Sequence, residues 1–378
     1  PRFFDIYEIQ VDGYERSLLF EDRHGYEFQQ ISPNKRLLSF IRTNKREDTD
    51  ILLYDRQTQT IRNLTPVPGD IEYRHQAFSA DSQSIFYTSN QNTDFAYLLH
   101  ENLNTGQKQV VLKTDWDISF AKLSRQGRYL AIGINKDATT ELRLFDGNTL
   151  KQVETSPFPK GDITSVSFSH DENMIAFYAS TNRSPHNLFL LDIPELRVRQ
   201  LTSALSPEID SNDLVEAETV RFASFDGMQI PGLLFKPRGA SAENKVPALV
   251  WVHGGPGGQA RNEFNPLIQY LANHGYAVFA INNRGSSGYG KAFFTADDRK
   301  HGQADLDDCV ASKAMLIATG YVDPERIGII GKSYGGYLTL AAMTFRPEEF
   351  AVGVNLFGIS DWIHTLNNMP AWWESLRQ

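Results

Sequence analysis

A chain of 378 residues is long enough for two or three domains. Its 41% apolar and 22% charged residues are the proportions of an ordinary globular protein rather than a fibrous or disordered one. The 46 acidic and 37 basic residues leave a net charge of −9, which argues against a nucleic-acid or anionic-membrane partner, since either rewards a basic face.

The chain opens Pro1-Arg2-Phe3-Phe4-Asp5, without a signal-peptide pattern. The compartment stays open between the cytoplasm and a bacterial periplasm. No apolar run reaches the ~20 residues that span a bilayer. From Phe4 to Phe20 the pattern is that of half a β-sheet unit. A repeat then follows: Ile31-Ser32-Pro33-Asn34, Phe78-Ser79-Ala80-Asp81, Leu123-Ser124-Arg125-Gln126 and Phe168-Ser169-His170-Asp171. Each is an apolar residue, a serine and a turn, and each precedes a β-rich run: Leu37–Ile41, Ile85–Thr88, Tyr129–Ile132 and Ile175–Tyr178. A second strand and turn come next, at Ile51–Asp55, Ala96–His100, Leu142–Asp146 and Leu188–Asp192, and two units close on Leu-Thr, at Leu64-Thr65 and Leu201-Thr202. A period of about 45 residues built of short strands is the mark of β-propeller blades. A long β-sandwich does not repeat at a fixed period. Four full units and one partial unit predict a partial propeller of four to five blades over residues 1–210. A chain starting in mid-blade suggests that the ring is longer. The lone polar residues His75, His170 and Asp171 are expected to serve turns.

The polar stretch Leu201 to Leu214 reads as a linker. Val220–Phe225 and Ile230–Lys236, joined by Asp226-Gly227, form a hairpin. Buried strands are expected at Pro247–Val252, Tyr276–Ile281 and Phe350–Phe357. Helices are expected at Asn265–Asn273, stopped by Gly275, and at Ala304–Ala318. The second helix holds Cys309. As the sole cysteine it can form neither an internal disulfide nor a cysteine metal site, and it reads as a buried, inert thiol. Buried strands alternating with helices mean a doubly wound, mainly parallel sheet over residues 211–378.

Within that sheet Ile327-Gly328-Ile329-Ile330 runs into Gly331-Lys332-Ser333-Tyr334-Gly335, and a helix-forming run, Leu338 to Phe345, follows. A strand that bends sharply into a helix presents Ser333 at its tip and needs small neighbours, which Gly331, Gly335 and Gly336 are. This is the nucleophile elbow of an α/β-hydrolase. Serine hydrolysis also needs a base, an orienting carboxylate and an oxyanion hole. Val252-His253-Gly254-Gly255-Pro256-Gly257-Gly258 directly follows a strand, where hydrolases of this fold expose a backbone N–H to the oxyanion. The partner donor is the N–H of Tyr334. His253 precedes the serine, whereas this fold orders its triad Ser, then Asp or Glu, then His, so His253 reads as a brace for its loop.

The chain resembles the prolyl oligopeptidase family of serine peptidases, most closely its acylaminoacyl-peptidase-like branch. The motifs that carry the likeness are His253-Gly254-Gly255-Pro256, Asn283-Arg284-Gly285-Ser286-Ser287-Gly288-Tyr289-Gly290, Asp305-Leu306-Asp307-Asp308, Gly331 to Tyr337 and Ser360-Asp361-Trp362. The resemblance implies a propeller over a peptidase domain that admits short peptides, with Ser333 as nucleophile and the N–H groups of Gly255 and Tyr334 as oxyanion donors. It implies no metal or cofactor, no nucleic-acid or membrane partner, and leaves room for a homo-oligomer. Arg284 is expected in a structural ion pair. Trp362, Trp372 and Trp373 are candidates for an apolar substrate pocket, ordinary core being the other reading. The family's triad Asp and His lie well beyond the elbow; His364 is too close to Ser333 to be that base, and Asp361 belongs to an additional motif. The hydrolase domain is therefore expected to be incomplete, with acid and base beyond Gln378. No paired glutamates of the dipeptidyl-peptidase kind are recognisable in the propeller. Rival readings are an esterase of the same fold and a non-catalytic propeller scaffold.

Overall fold

The repeated serine becomes a repeated hydrogen bond in the computed structural model, which describes residues 3–370. The Oγ atoms of Ser32, Ser79, Ser124 and Ser169 accept the N–H five residues on, from Leu37, Ser84, Tyr129 and Met174, at 2.8 to 3.0 Å. Three residues after each serine the backbone turns left-handed, at Lys35, Ser82, Gly127 and Glu172. Only Gly127 does so without a side-chain penalty. In the other three the serine bond, together with a backbone bond back to the serine carbonyl, holds the turn. A second turn repeats as well. Asp55, Asn102 and Asp146 each accept the N–H groups two and three residues on, and Asp192 accepts that of Glu195. Short acceptors on the chain's own backbone make these bends locally determined.

These turns join four antiparallel sheets of four strands, preceded by a hairpin of β1 (Ile6–Ile9) and β2 (Arg16–Phe20). The first sheet holds β3 (Glu27–Ile31), β4 (Leu37–Lys45), β5 (Asp48–Asp55) and β6 (Thr60–Asn63); the second holds β7 (Tyr73–Phe78), β8 (Ser84–Ser89), β9 (Tyr97–Asn102) and β10 (Lys108–Leu112). The third holds β11 (Asp117–Leu123), β12 (Tyr129–Lys136), β13 (Thr139–Asp146) and β14 (Gln152–Val153); the fourth holds β15 (Asp162–Phe168), β16 (Met174–Thr181), β17 (Ser184–Asp192) and β18 (Arg197–Gln200). They are propeller blades. Thr65 and Thr202 use their hydroxyls to accept the N–H groups of Ile51 and Leu188, so each Leu-Thr pair ties down the third strand of its blade. Leu38, Phe40, Ile85, Tyr87 and Leu98 are buried among the strands.

One sequence expectation fails in the blades. Asp171 does serve a turn, taking the Ser169 hydroxyl at 2.6 Å. His75 does not. It is buried on β7, 2.9 Å from Gln30 Oε1 through Nε2, and burial lowers its pKa to about 4. The same Gln30 oxygen accepts the N–H of Phe78, and Gln76 Oε1 accepts that of Ala121. A glutamine on the first strand of one blade thus pegs the first strand of the next.

After a 3₁₀ turn at Ser211–Asp213 the architecture changes. A six-stranded sheet comprises β19 (Ala217–Ala223), β20 (Gln229–Phe235), β21 (Val246–Val252), β22 (Ala277–Ile281), β23 (Val322–Lys332) and β24 (Gly353–Leu356), in the order β19-β20-β22-β21-β23-β24. The first three in that order are antiparallel and the last four parallel. This is an α/β-hydrolase sheet. Its helices are α1 (Pro266–Asn273), α2 (Lys291–Phe294), α3 (Ala304–Ala318) and α4 (Tyr334–Phe345), and a short helix α5 (Trp362–Asn367) follows in the chain. Asn265 caps α1 by accepting from Leu267 and Ile268, with Pro266 in the first turn. None of the helices is long and apolar enough to cross a membrane. Cys309 is fully buried on α3, as expected.

The chain divides into two compact units, one of residues up to 133, 143–153 and from 362 on, the other of residues 134–142 and 154–361. The second unit holds the hydrolase sheet together with the fourth blade.

Candidate active site

Strand register places the site. Val252, Ile281 and Gly331 stand level across β21, β22 and β23, so these strands end together at the carboxyl edge. The loop from His253 and the bend at Ser333 leave that edge side by side.

Ser333 has φ 56° and ψ −119°, a conformation rarely adopted by a residue with a side chain. Three close approaches impose it. A β-carbon on Gly335 would lie 2.1 Å from the carbonyl oxygen of Val252, one on Gly331 would lie 2.1 Å from that of Gly335, and one on Gly336 would lie 2.7 Å from Gly358 Cα. The Ser333 N–H donates to Leu356 O, and the Ser333 carbonyl accepts from Tyr337. The side chain is exposed, and its hydroxyl has no hydrogen-bond partner among the described residues. Helix α4 begins at the next residue, which puts the Tyr334 amide among the N–H groups that open the helix. The helix starts four residues earlier than sequence pattern suggests, because Gly335 and Gly336 are helical here for closeness rather than propensity.

Gly254 packs against this bend. A β-carbon there would stand 3.3 Å from Ser333 Cβ and 3.8 Å from Ser333 Oγ. Gly255 follows at φ 142°, exposed, and the loop coils so tightly that a β-carbon on it would meet Gly258 N at 2.4 Å. His253 holds this coil. Its Nδ1 donates to Gly254 O at 2.8 Å and its Nε2 lies 2.8 Å from Ser286 Oγ. Burial keeps its pKa below the usual imidazole range. Both ring nitrogens are engaged, so His253 is a brace. The far end of the loop is anchored by Arg261. Its guanidinium bonds both carboxylate oxygens of Asp162 on β15, Asn135 Oδ1 on β12, Thr140 Oγ1 on β13 and Gln259 Oε1.

Beneath the edge, Arg284 is buried and makes paired bonds to Asp226 and to Asp308, the structural ion pair expected of it. The arginine draws the pKa of Asp226 down to about 2, while burial pushes that of Asp308 up in spite of it. A second buried cluster was not apparent in the sequence. The Tyr334 hydroxyl donates to Asp305 Oδ2 at 2.5 Å; His301 stacks edge-on against the Tyr334 ring and stands 3.2 Å from Asp297. Burial pushes the Asp305 carboxyl up to about 6. The signal was the pair Asp305 and Asp308, three apart on one face of a helix that buries both.

Of the pocket candidates, Trp362 opens α5 and is half-buried. Trp372 and Trp373 lie outside the described residues. Asp361 and His364 are exposed.

Residues 262–378 match the model of the prolyl oligopeptidase family. Dipeptidyl aminopeptidase BIII of Pseudoxanthomonas mexicana is 28% identical over 322 residues, covering 82% of this chain and 45% of that protein. The uncharacterized peptidase YuxL of Bacillus subtilis (strain 168) is 32% identical over 202 residues, covering 53% of this chain and 30% of that protein. The acylamino-acid-releasing enzyme of Arabidopsis thaliana is 36% identical over 104 residues, covering 28% of this chain and 14% of that protein. The chain thus spans less than half the length of these relatives. Among solved structures, a Mycobacterium tuberculosis puromycin-hydrolyzing peptidase superposes with a TM-score of 0.85 at 21% identity, over 97% of this chain and 57% of that one.

Proposed function

We propose that the chain belongs to the prolyl oligopeptidase family, whose model matches residues 262–378, and that it is part of a serine peptidase that hydrolyses short peptides through an acyl-enzyme on Ser333. The observation that carries the reading is the exposed Ser333 hydroxyl at a forced bend, with the Gly254-Gly255 loop packed beside it and a helix opening at Tyr334. Attack of Oγ on a peptide carbonyl forms a tetrahedral oxyanion. The N–H groups of Tyr334 and Gly255 receive its charge, each worth roughly 3 kcal/mol at the transition state. Trp362 is proposed to border an apolar subsite, with Trp372 and Trp373. No histidine among the described residues is hydrogen-bonded to Ser333, so these residues supply the nucleophile and the oxyanion site.

The relatives include a dipeptidyl aminopeptidase and an acylamino-acid-releasing enzyme, so substrates with free and with acylated amino termini both belong in the test. The domain division is proposed at residues 210 and 211, between the last antiparallel blade strand and the mixed sheet. The test uses the product of the full reading frame. A fluorophosphonate should label Ser333, and Ser333→Ala should abolish both labelling and peptide cleavage. Turnover of short acyl esters with no cleavage of any peptide would move the assignment to an esterase. A folded protein that takes no label would leave a scaffold.

A further inference from the structure

The cluster under the elbow has no part in the chemistry above, yet it touches the residue that supplies an oxyanion amide. Tyr334 is 2% exposed and Asp305 is fully buried. The Tyr334 backbone leaves Ser333 at the strained bend, and its side chain runs inward from the start of α4 to the first turn of α3. There its hydroxyl donates to Asp305 Oδ2. The other carboxylate oxygen, Oδ1, accepts the N–H of Leu306 at 2.9 Å and of Gln303 at 3.1 Å, so the acid is itself fixed by the helix end. Two further rings close on the Tyr334 ring, His301 at 5.6 Å and Tyr337 at 5.5 Å, and the Tyr337 hydroxyl donates to His301 O. Tyr334 is therefore held at two points, its backbone at the bend and its hydroxyl on another helix.

We propose that Asp305 is a positioning residue: by gripping the Tyr334 hydroxyl it fixes the plane of the peptide whose N–H faces the oxyanion. This rests on the peptidase reading above. The geometry gives the reason. The bend at Ser333 is a conformation the backbone would relax from, and a small rotation of the following peptide would turn the donor away from the carbonyl oxygen. A displacement of ~1 Å in such a group can cost ~100-fold in rate. Burial raises the Asp305 pKa to about 6 and drives that of the phenol well above its ordinary value, so above pH 6 a charged acceptor faces a protonated donor.

The experiment compares Tyr334→Phe, Asp305→Asn and the double variant in the full-length enzyme. Tyr334→Phe keeps the ring and backbone and deletes one hydroxyl. It should lower kcat about 10- to 100-fold and leave KM within about twofold. A peptidyl trifluoromethyl ketone, whose bound adduct carries the oxyanion, should lose affinity by the same factor. The double variant removes the buried charge along with its donor, so it folds even if a single one does not, and should be no slower than the slower single variant. Wild-type kcat and ketone affinity in folded Tyr334→Phe or in the double variant, with only the melting temperature lowered, would overturn the positioning role and leave the peptidase reading standing. Absence of fluorophosphonate labelling in the wild type would overturn both.

Discussion

The blades and the elbow show two different ways of fixing a bend. In the blades, Ser124 reaches the N–H of Tyr129 and Asp146 reaches those of Asn148 and Thr149, so donor and acceptor are neighbours in the chain. Such a turn carries its own instructions and can be copied, and it appears four times. At the elbow, Gly335 is pressed onto Val252, Gly254 onto Ser333 and Gly336 onto Gly358. None of these contacts is between sequence neighbours at a turn. They exist only once the sheet is assembled, so the same kind of residue, glycine, answers to a different constraint. In the blades Gly127 is chosen for its backbone angle; at the elbow Gly335 is chosen for its size.

The largest effect should come from breaking that closeness. Gly335→Ala places a methyl group 2.1 Å from a backbone oxygen that cannot move, and should cost more than about 3 kcal/mol or prevent folding; thermal unfolding or soluble yield reports it. Gly254→Ala tests the same region more gently. Its methyl group would meet Ser333 Cβ at 3.3 Å, a contact that a few tenths of an ångström relieves. Stability should fall by about 1 kcal/mol, while cleavage falls by about 100-fold because the methyl group takes the space a substrate carbonyl needs. Equal losses in the two measurements would show that the site is simply unfolding.

Asp117 makes a non-local tie within the blades, accepting the N–H of Ala96 just before β9. Burial raises its carboxyl to about 6, so the folded state holds the proton more tightly than the unfolded chain does. Its contribution to stability is full below pH 4 and is lost as the pH rises through about 6. Asp117→Asn keeps the acceptor and removes the charge. It should raise stability at pH 8 by on the order of 1–2 kcal/mol, with the gain vanishing near pH 4. A gain that does not vary with pH would rule out titration of this group as its cause. The smallest effect belongs to the local turns. Ser124→Ala removes one hydrogen bond to Tyr129 and leaves the left-handed Gly127 in place, for a loss of about 1 kcal/mol. Ser169→Ala should cost more, because Glu172 carries the penalty that Gly127 avoids.

The amino-acid sequence alone determined whatever depends on near neighbours. The serine spacing gave the blades, Asn265 and Pro266 gave the start of α1, and Gly331 to Gly335 after an apolar run gave the bend and its exposed serine. The ion-pair role of Arg284 came from the family resemblance of its motif and not from near neighbours, since its partners Asp226 and Asp308 are 58 and 24 residues away. Only the tertiary structure decided the rest: that His75 lies against Gln30 rather than in a turn, that Arg261 ties its loop to Asp162, and that Asp305 meets the hydroxyl of Tyr334. A hydrogen bond between distant residues leaves no period and no spacing in a single sequence. Its partners are selected by strand register and helix packing, which exist only after the backbone has closed.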